Sequence, residues 1–173
     1  MNRRNFLLTT SATLATSSCG YHVAGKADLM PKEIRTIGIP PFANPTTRYK
    51  LTEKLPIAIT REFHARTKYQ VLPDPAGADA ILQGSIATVM AFPTVFDPAS
   101  GRAAGVQIQA ILAVKLTQVN GGKVIYTNPS MDFRQRYEIS IDPLAYFDES
   151  TPAFDRLSRD VAATVVTSIL ENF

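Results

Sequence analysis

Apolar and polar residues along this chain follow two different periods, and the changeovers between them predict its elements. Ile34 to Pro40 alternates and predicts a first strand, closed by Pro40-Pro41. Asn44-Pro45-Thr46-Thr47 is turn and cap chemistry. From Tyr49 to Thr67 the period changes. Leu51, Leu55, Ile59 and Phe63 recur every four residues, which predicts a helix with one buried face, and Pro56 within it predicts a kink or a restart. Tyr69 to Leu72 is a short strand. Ala80 to Phe92 is a longer one, with Gly84 expected at a bulge.

The cleanest alternation runs from Val106 to Leu116. Val106, Ile108, Ala110, Leu112, Val114 and Leu116 share one face; Gln107, Gln109, Ala113 and Lys115 share the other. This is the pattern of an antiparallel strand covered on one side and wet on the other. The stretch Pro93 to Gly105 before it is expected to be a loop or the tip of a long hairpin. Asn120-Gly121-Gly122 predicts a second hairpin turn, and the returning strand starts at Lys123. Asn128-Pro129 interrupts its alternation and predicts a bulge or a change of face; Met131, Phe133, Tyr137 and Ile139 resume it. Thr151 as cap and Pro152 at the first helical position open a last helix, lined by Phe154, Leu157, Val161, Val165, Ile169 and Phe173. The expected fold is α+β, in the order β-α-β-β-β-α. It has a mostly antiparallel β-sheet of about four strands, with both amphipathic helices on one face.

The N-terminal segment has a third pattern. Arg3 and Arg4 precede a mildly apolar stretch, Phe6 to Ser18, the layout of an export signal. Arg3-Arg4-Asn5-Phe6-Leu7 also resembles a twin-arginine signal. Cys19 is the only cysteine of the 173 residues, so no disulfide partner exists for it. Its place after Ser17 and Ser18 predicts a lipidation site carrying diacylglycerol and an N-acyl chain, although Thr16 stands where leucine is commonest. The expected organisation is a signal over 1–18, a lipidated cysteine and tether over 19–33, and one domain over 34–173. Gly20 in place of aspartate favours the outer membrane.

Charge and composition then narrow the function. Without Arg3 and Arg4 the 18 basic residues become 16, against 15 acids, so the mature chain is nearly neutral. A nucleic-acid binder, which needs a basic domain, is not expected. His22 and His64 are far apart, and no phosphate-cradling glycine loop or metal-ligand spacing occurs. Glu62, Asp74, Asp79, Asp97 and Asp148-Glu149 fall at turns and helix ends, where carboxylates cap and meet solvent. Neither an enzyme nor a resident cofactor or metal is expected.

Several pieces in fixed order carry a resemblance: Cys19-Gly20-Tyr21-His22-Val23, Ile34 to Pro40 followed by Phe42-Ala43-Asn44, Tyr69-Gln70-Val71, and Ala78 to Ile86. A long hairpin and a C-terminal amphipathic helix complete the order. Together they resemble the lipopolysaccharide-assembly lipoproteins, the LptE family. The resemblance implies an outer-membrane lipoprotein on the periplasmic face that sits inside and against the LptD β-barrel, helps it fold, plugs it, and assists delivery of lipopolysaccharide. It implies Arg102 as a contact to the anionic lipid, with Lys115, Lys123, Arg134 and Arg136 adding to a patch. Phe92 and Phe96, with Tyr146 and Phe147, are the candidate partner contacts. The alternatives are an envelope lipoprotein scaffolding another machine, such as a secretin pilot or barrel-assembly accessory, and a periplasmic ligand-binding module.

Overall fold

The computed structural model describes residues 30–31, 33–140 and 150–172. Cys19, Tyr146 and Phe147, the export signal, and Asp148-Glu149 lie outside them. The elements are β1 (Thr36–Gly38), α1 (Lys50–Arg66), β2 (Gln70–Leu72), β3 (Ala80–Phe96), β4 (Ala103–Gln118), β5 (Val124–Glu138) and α2 (Ser150–Glu171). The α+β class and both helices are as expected. The sheet has five strands rather than about four, in the spatial order β2-β1-β3-β4-β5. The β3–β4 and β4–β5 ladders are antiparallel, whereas β1 runs parallel to both β2 and β3.

The even-numbered face of β4 is buried from Val106 to Leu116, as its alternation predicted. Leu51, Leu55, Ile59 and Phe63 of α1 pack with Phe154, Leu157, Val161, Val165 and Ile169 of α2 over it in one core. Each of these large side chains contributes roughly 1.5–3 kcal/mol by leaving water. Polar links staple the two helices outside that core: Lys50 Nζ donates to Thr151 Oγ1 at 3.0 Å, Lys54 to Asp155, and Arg66 to Thr167 Oγ1 at 2.6 Å. Helix α1 continues through Pro56 without a restart. Helix α2 already includes Ser150, so Thr151 and Pro152 lie inside it rather than at its boundary.

Two other expectations change. Strand β3 does not end at Phe92 but runs to Phe96, and β4 begins at Ala103, so the loop shrinks to the residues between them. Gly84 is not at a bulge: its register partner is Val114, and the shift falls between Ile86 and Thr88. Glycine is needed at 84 because the Phe42 ring occupies the space a Cβ would take. The Asn128-Pro129 irregularity is real. Val114 pairs with Asn128 and Leu112 with Met131, so β5 gains one residue there and changes the parity of its faces. The Asn120-Gly121-Gly122 turn holds two positive φ angles, 85° and 64°, at its glycines.

β1 is pinned to the start of β3 by one carboxylate. Asp79 Oδ2 accepts from Arg35 N at 2.8 Å, Thr36 N at 2.9 Å and Thr36 Oγ1 at 2.8 Å. These bonds, that from the Arg35 amide foremost, hold the Asp79 carboxyl below its usual range.

Candidate functional site

Among the described residues no helix packs on the odd-numbered face of β4, and the strand register decides what stands beside what. Phe92, Gln107 and Arg136 form one row across β3, β4 and β5; Met90, Gln109 and Arg134 form the next; Thr88, Ile111 and Asp132 the third. Adjacent strands are about 4.8 Å apart, so each of the first two rows crosses from an apolar margin to a cationic one in about 10 Å. Met90 and Phe92 are exposed, as are Arg134 and Arg136.

Hydrogen bonds order the cationic margin. Arg136 Nε donates to Gln107 Oε1 at 3.1 Å, and Arg134 donates to Asp132 Oδ2 at 2.8 Å. Gln109 Nε2 donates to both Asp132 oxygens, at 3.0 and 2.9 Å. The Arg134 hydrogen bond, followed by that of Gln109, holds the Asp132 carboxyl below its usual range. The surface therefore offers two guanidinium groups, that of Arg134 paired with the Asp132 carboxylate, two amides and a strip of apolar side chains. That combination suits an anionic amphiphile, its charged group at the arginines and its chain along Met90 and Phe92.

The five basic residues named from the sequence do not form one patch. Arg102 is exposed in the β3–β4 loop, next to the end of the sheet that carries Arg134 and Arg136. Lys115 lies on the same open face, six residues along β4 from Gln109, or about 20 Å. Lys123 stands at the β4–β5 turn, where its carbonyl accepts from Gln118 N, at the opposite end of the sheet from Arg102. Phe96 pairs with Ala103 at the hairpin tip and is 58% exposed, against 37% for Phe92. Asp132, Gln107, Gln109 and Met90 are not among the site residues expected from the sequence, although Gln107 and Gln109 are on the wet face it predicts; the cross-strand register brings them beside the arginines.

Among the described residues no group of histidine, cysteine and carboxylate side chains is placed to hold a metal ion, and no helix is long and apolar enough to cross a membrane. The carboxylates do turn and clamp work: Asp97 accepts from Ser100 N, Asp74 from Ala76 N, and Glu62 pairs with Arg66.

The sequence signature described as lipopolysaccharide-assembly, LptE, matches residues 34–169, which span both helices and all five strands. The chain belongs to the LptE family. LptE-family members are non-enzymatic envelope lipoproteins associated with lipopolysaccharide assembly. No curated protein matches the chain. Its fold is similar to that of lipoprotein B from Nitrosomonas europaea, with a TM-score of 0.53 and 12% identity over 79% of this chain and 82% of that one. The rare lipoprotein B from Shewanella oneidensis gives 0.50 and 12% over 77% and 94%. PelC from Paraburkholderia phytofirmans, a dodecamer, gives 0.51 and 13% over 79% and 88%. At these identities the likeness is one of fold.

Proposed function

We propose that this chain is an outer-membrane lipoprotein component of the lipopolysaccharide translocon. In this reading Cys19 carries the diacylglycerol and N-acyl anchor on the periplasmic face. The folded domain sits in and against an LptD-like β-barrel, assists its folding, plugs it, and passes lipopolysaccharide toward the outer leaflet. The domain holds and positions rather than catalyses, and it needs no cofactor beyond its own lipid.

Family membership over residues 34–169 supports this reading. The observation that carries the lipid assignment is the row Phe92–Gln107–Arg136, with Met90–Gln109–Arg134 beside it. Phosphorylated, multiply acylated lipid presents the two chemistries that these rows separate. The cluster at Arg134 and Arg136, with Arg102 near by, is therefore the primary lipid contact, and Lys115 and Lys123 are secondary. The exposed Phe96, at the hairpin tip, is assigned to the barrel contact, and Phe92 stays with the lipid row.

The test is affinity purification of the full chain from detergent-solubilised membranes. A large outer-membrane β-barrel protein is expected to co-purify in stable amount, and depletion of the chain is expected to leave that barrel misfolded. Recovery of the chain as a free monomer, with the barrel folding normally without it, overturns the reading.

A further inference from the structure

The two long margins of the sheet are built differently. The distal half of β5 carries Asp132, Arg134, Arg136 and Glu138, with Pro129 below them. Charges and proline are the usual means by which an edge strand avoids pairing with another chain. The other margin carries no charge, and its one proline, Pro93, lies toward its far end. On the outer side of β3, β1 pairs only with Ala80 and Ile81, and Ala43 adds one bridge opposite Ser85. Beyond Ile86 the strand continues to Phe96 with β4 on one side and no strand on the other among the described residues. The whole of β3, Ala80 to Phe96, contains no charged residue, and Met90, Phe92, Val95 and Phe96 on it are exposed. A long, uncharged, apolar free edge is a template for strand addition.

The hydrogen-bonding direction can be read along this edge. Ala43 N donates to Gly84 O at 2.9 Å and Ile86 N to Ala43 O at 2.8 Å, so even-numbered residues face outward there. The one-residue shift between Ile86 and Thr88 reverses the parity. Past it, Val89, Ala91 and Pro93 present their backbone groups to the open side, while Thr88, Met90 and Phe92 bond to β4. Pro93 has no N–H to present, and it sits where a strand tolerates proline, on a free edge. The open ladder therefore offers the amides of Val89 and Ala91 and the carbonyls of Val89, Ala91 and Pro93.

We propose that the free edge of β3 at Val89–Pro93 is a strand-addition site, occupied by an extended, uncharged segment of the β-barrel partner. This rests on the functional reading above. A partner segment paired there extends the sheet by one strand and covers Met90 and Phe92 from the side. A second copy of this chain fits less well. Antiparallel pairing of two identical edges about Ala91 sets Val89 against Pro93 twice and loses a donor at each, whereas a different strand meets one proline once.

Hydrogen exchange on the full-length protein, free and in its purified barrel complex, tests the proposal. The Val89 and Ala91 amides are expected to exchange freely in the isolated chain and at least about tenfold more slowly in the complex. Ala91→Pro removes an outward amide and no β3–β4 bond, as Pro93 already does. It is expected to weaken the complex by about fivefold to tenfold, the loss of one ladder bond, with the far-ultraviolet spectrum of the free chain unchanged. A barrel that co-purifies while both amides stay unprotected overturns the strand inference and leaves the functional reading standing. Protection that arises in the isolated chain on concentration makes the occupant a second copy and overturns the assignment to the barrel. Absence of any co-purifying barrel overturns both.

Discussion

The Phe42 ring lies where a side chain on Gly84 would have to be. Phe42 is 2% exposed, and its neighbour Ala43 hydrogen-bonds to Gly84 O, so ring and backbone approach the strand together. Gly84→Ala is expected to destabilise the fold by about 1–3 kcal/mol through overpacking. Phe42→Ala is expected to cost about 3–5 kcal/mol. In the Phe42→Ala background, Gly84→Ala should cost much less, because the obstruction is gone. Urea unfolding of the four proteins measures this coupling, and additive effects would contradict the close approach.

Asp79 makes stability depend on acid pH with a definite sign. Its folded pKa is depressed, so its contribution is present above the unfolded carboxylate pKa, about 3.9. It is lost as pH falls through the lower folded value. Asp79→Asn should therefore lower the thermal midpoint at pH 6–7, and the difference from the parent should shrink as both are taken below about pH 4. A difference that is constant with pH would mean the hydrogen-bond geometry, not the charge, carries the effect.

The split of the basic residues into two groups predicts unequal effects on lipid binding. Arg134→Glu with Arg136→Glu should weaken binding of lipopolysaccharide by at least about tenfold, the scale of losing charge-assisted phosphate contacts. Lys123→Glu, at the far end of the sheet, should change it by less than about twofold. Equal losses from the two variants, measured by titration with purified lipid, would remove the assignment of the site to the arginine end.

The helix staples should be weak. Lys54–Asp155 is part exposed on both sides, at 30% and 43%. Exposed pairs of this kind contribute about 0–1 kcal/mol. Asp155→Ala is expected to cost less than about 1 kcal/mol and to lose most of that effect in 1 M salt. Leu157→Ala, two positions along and 1% exposed, is expected to cost about 2–5 kcal/mol.

Much of this architecture is legible in the sequence because one period dominates each element. The four-residue recurrence of Leu51, Leu55, Ile59 and Phe63 and the alternation from Val106 to Leu116 are both buried as written. What misled was punctuation. Pro93 reads as a strand terminator, yet on an unpaired margin its missing N–H costs no bond, so β3 runs on. Gly84 reads as a bulge because the residue that demands it, Phe42, is more than forty positions away. The arginines of the open face were visible as residue types. Which of Asp132, Gln107 and Gln109 stand beside them was not, because register shifts in both ladders, among them those at Ile86/Thr88 and Leu112/Val114, reset which residues stand opposite.

The distance between the two ends of β3 has a consequence of its own. Ala80 is joined to β1, and Phe96 closes on Ala103 at the tip, sixteen residues away. At about 3.3 Å per residue this is a strut of about 50 Å, longer than the roughly 30 Å hydrocarbon layer of a membrane. It is doubled along its length by β4, so it can twist but not shorten. Whatever grips the β1 end thereby fixes how far away the tip stands.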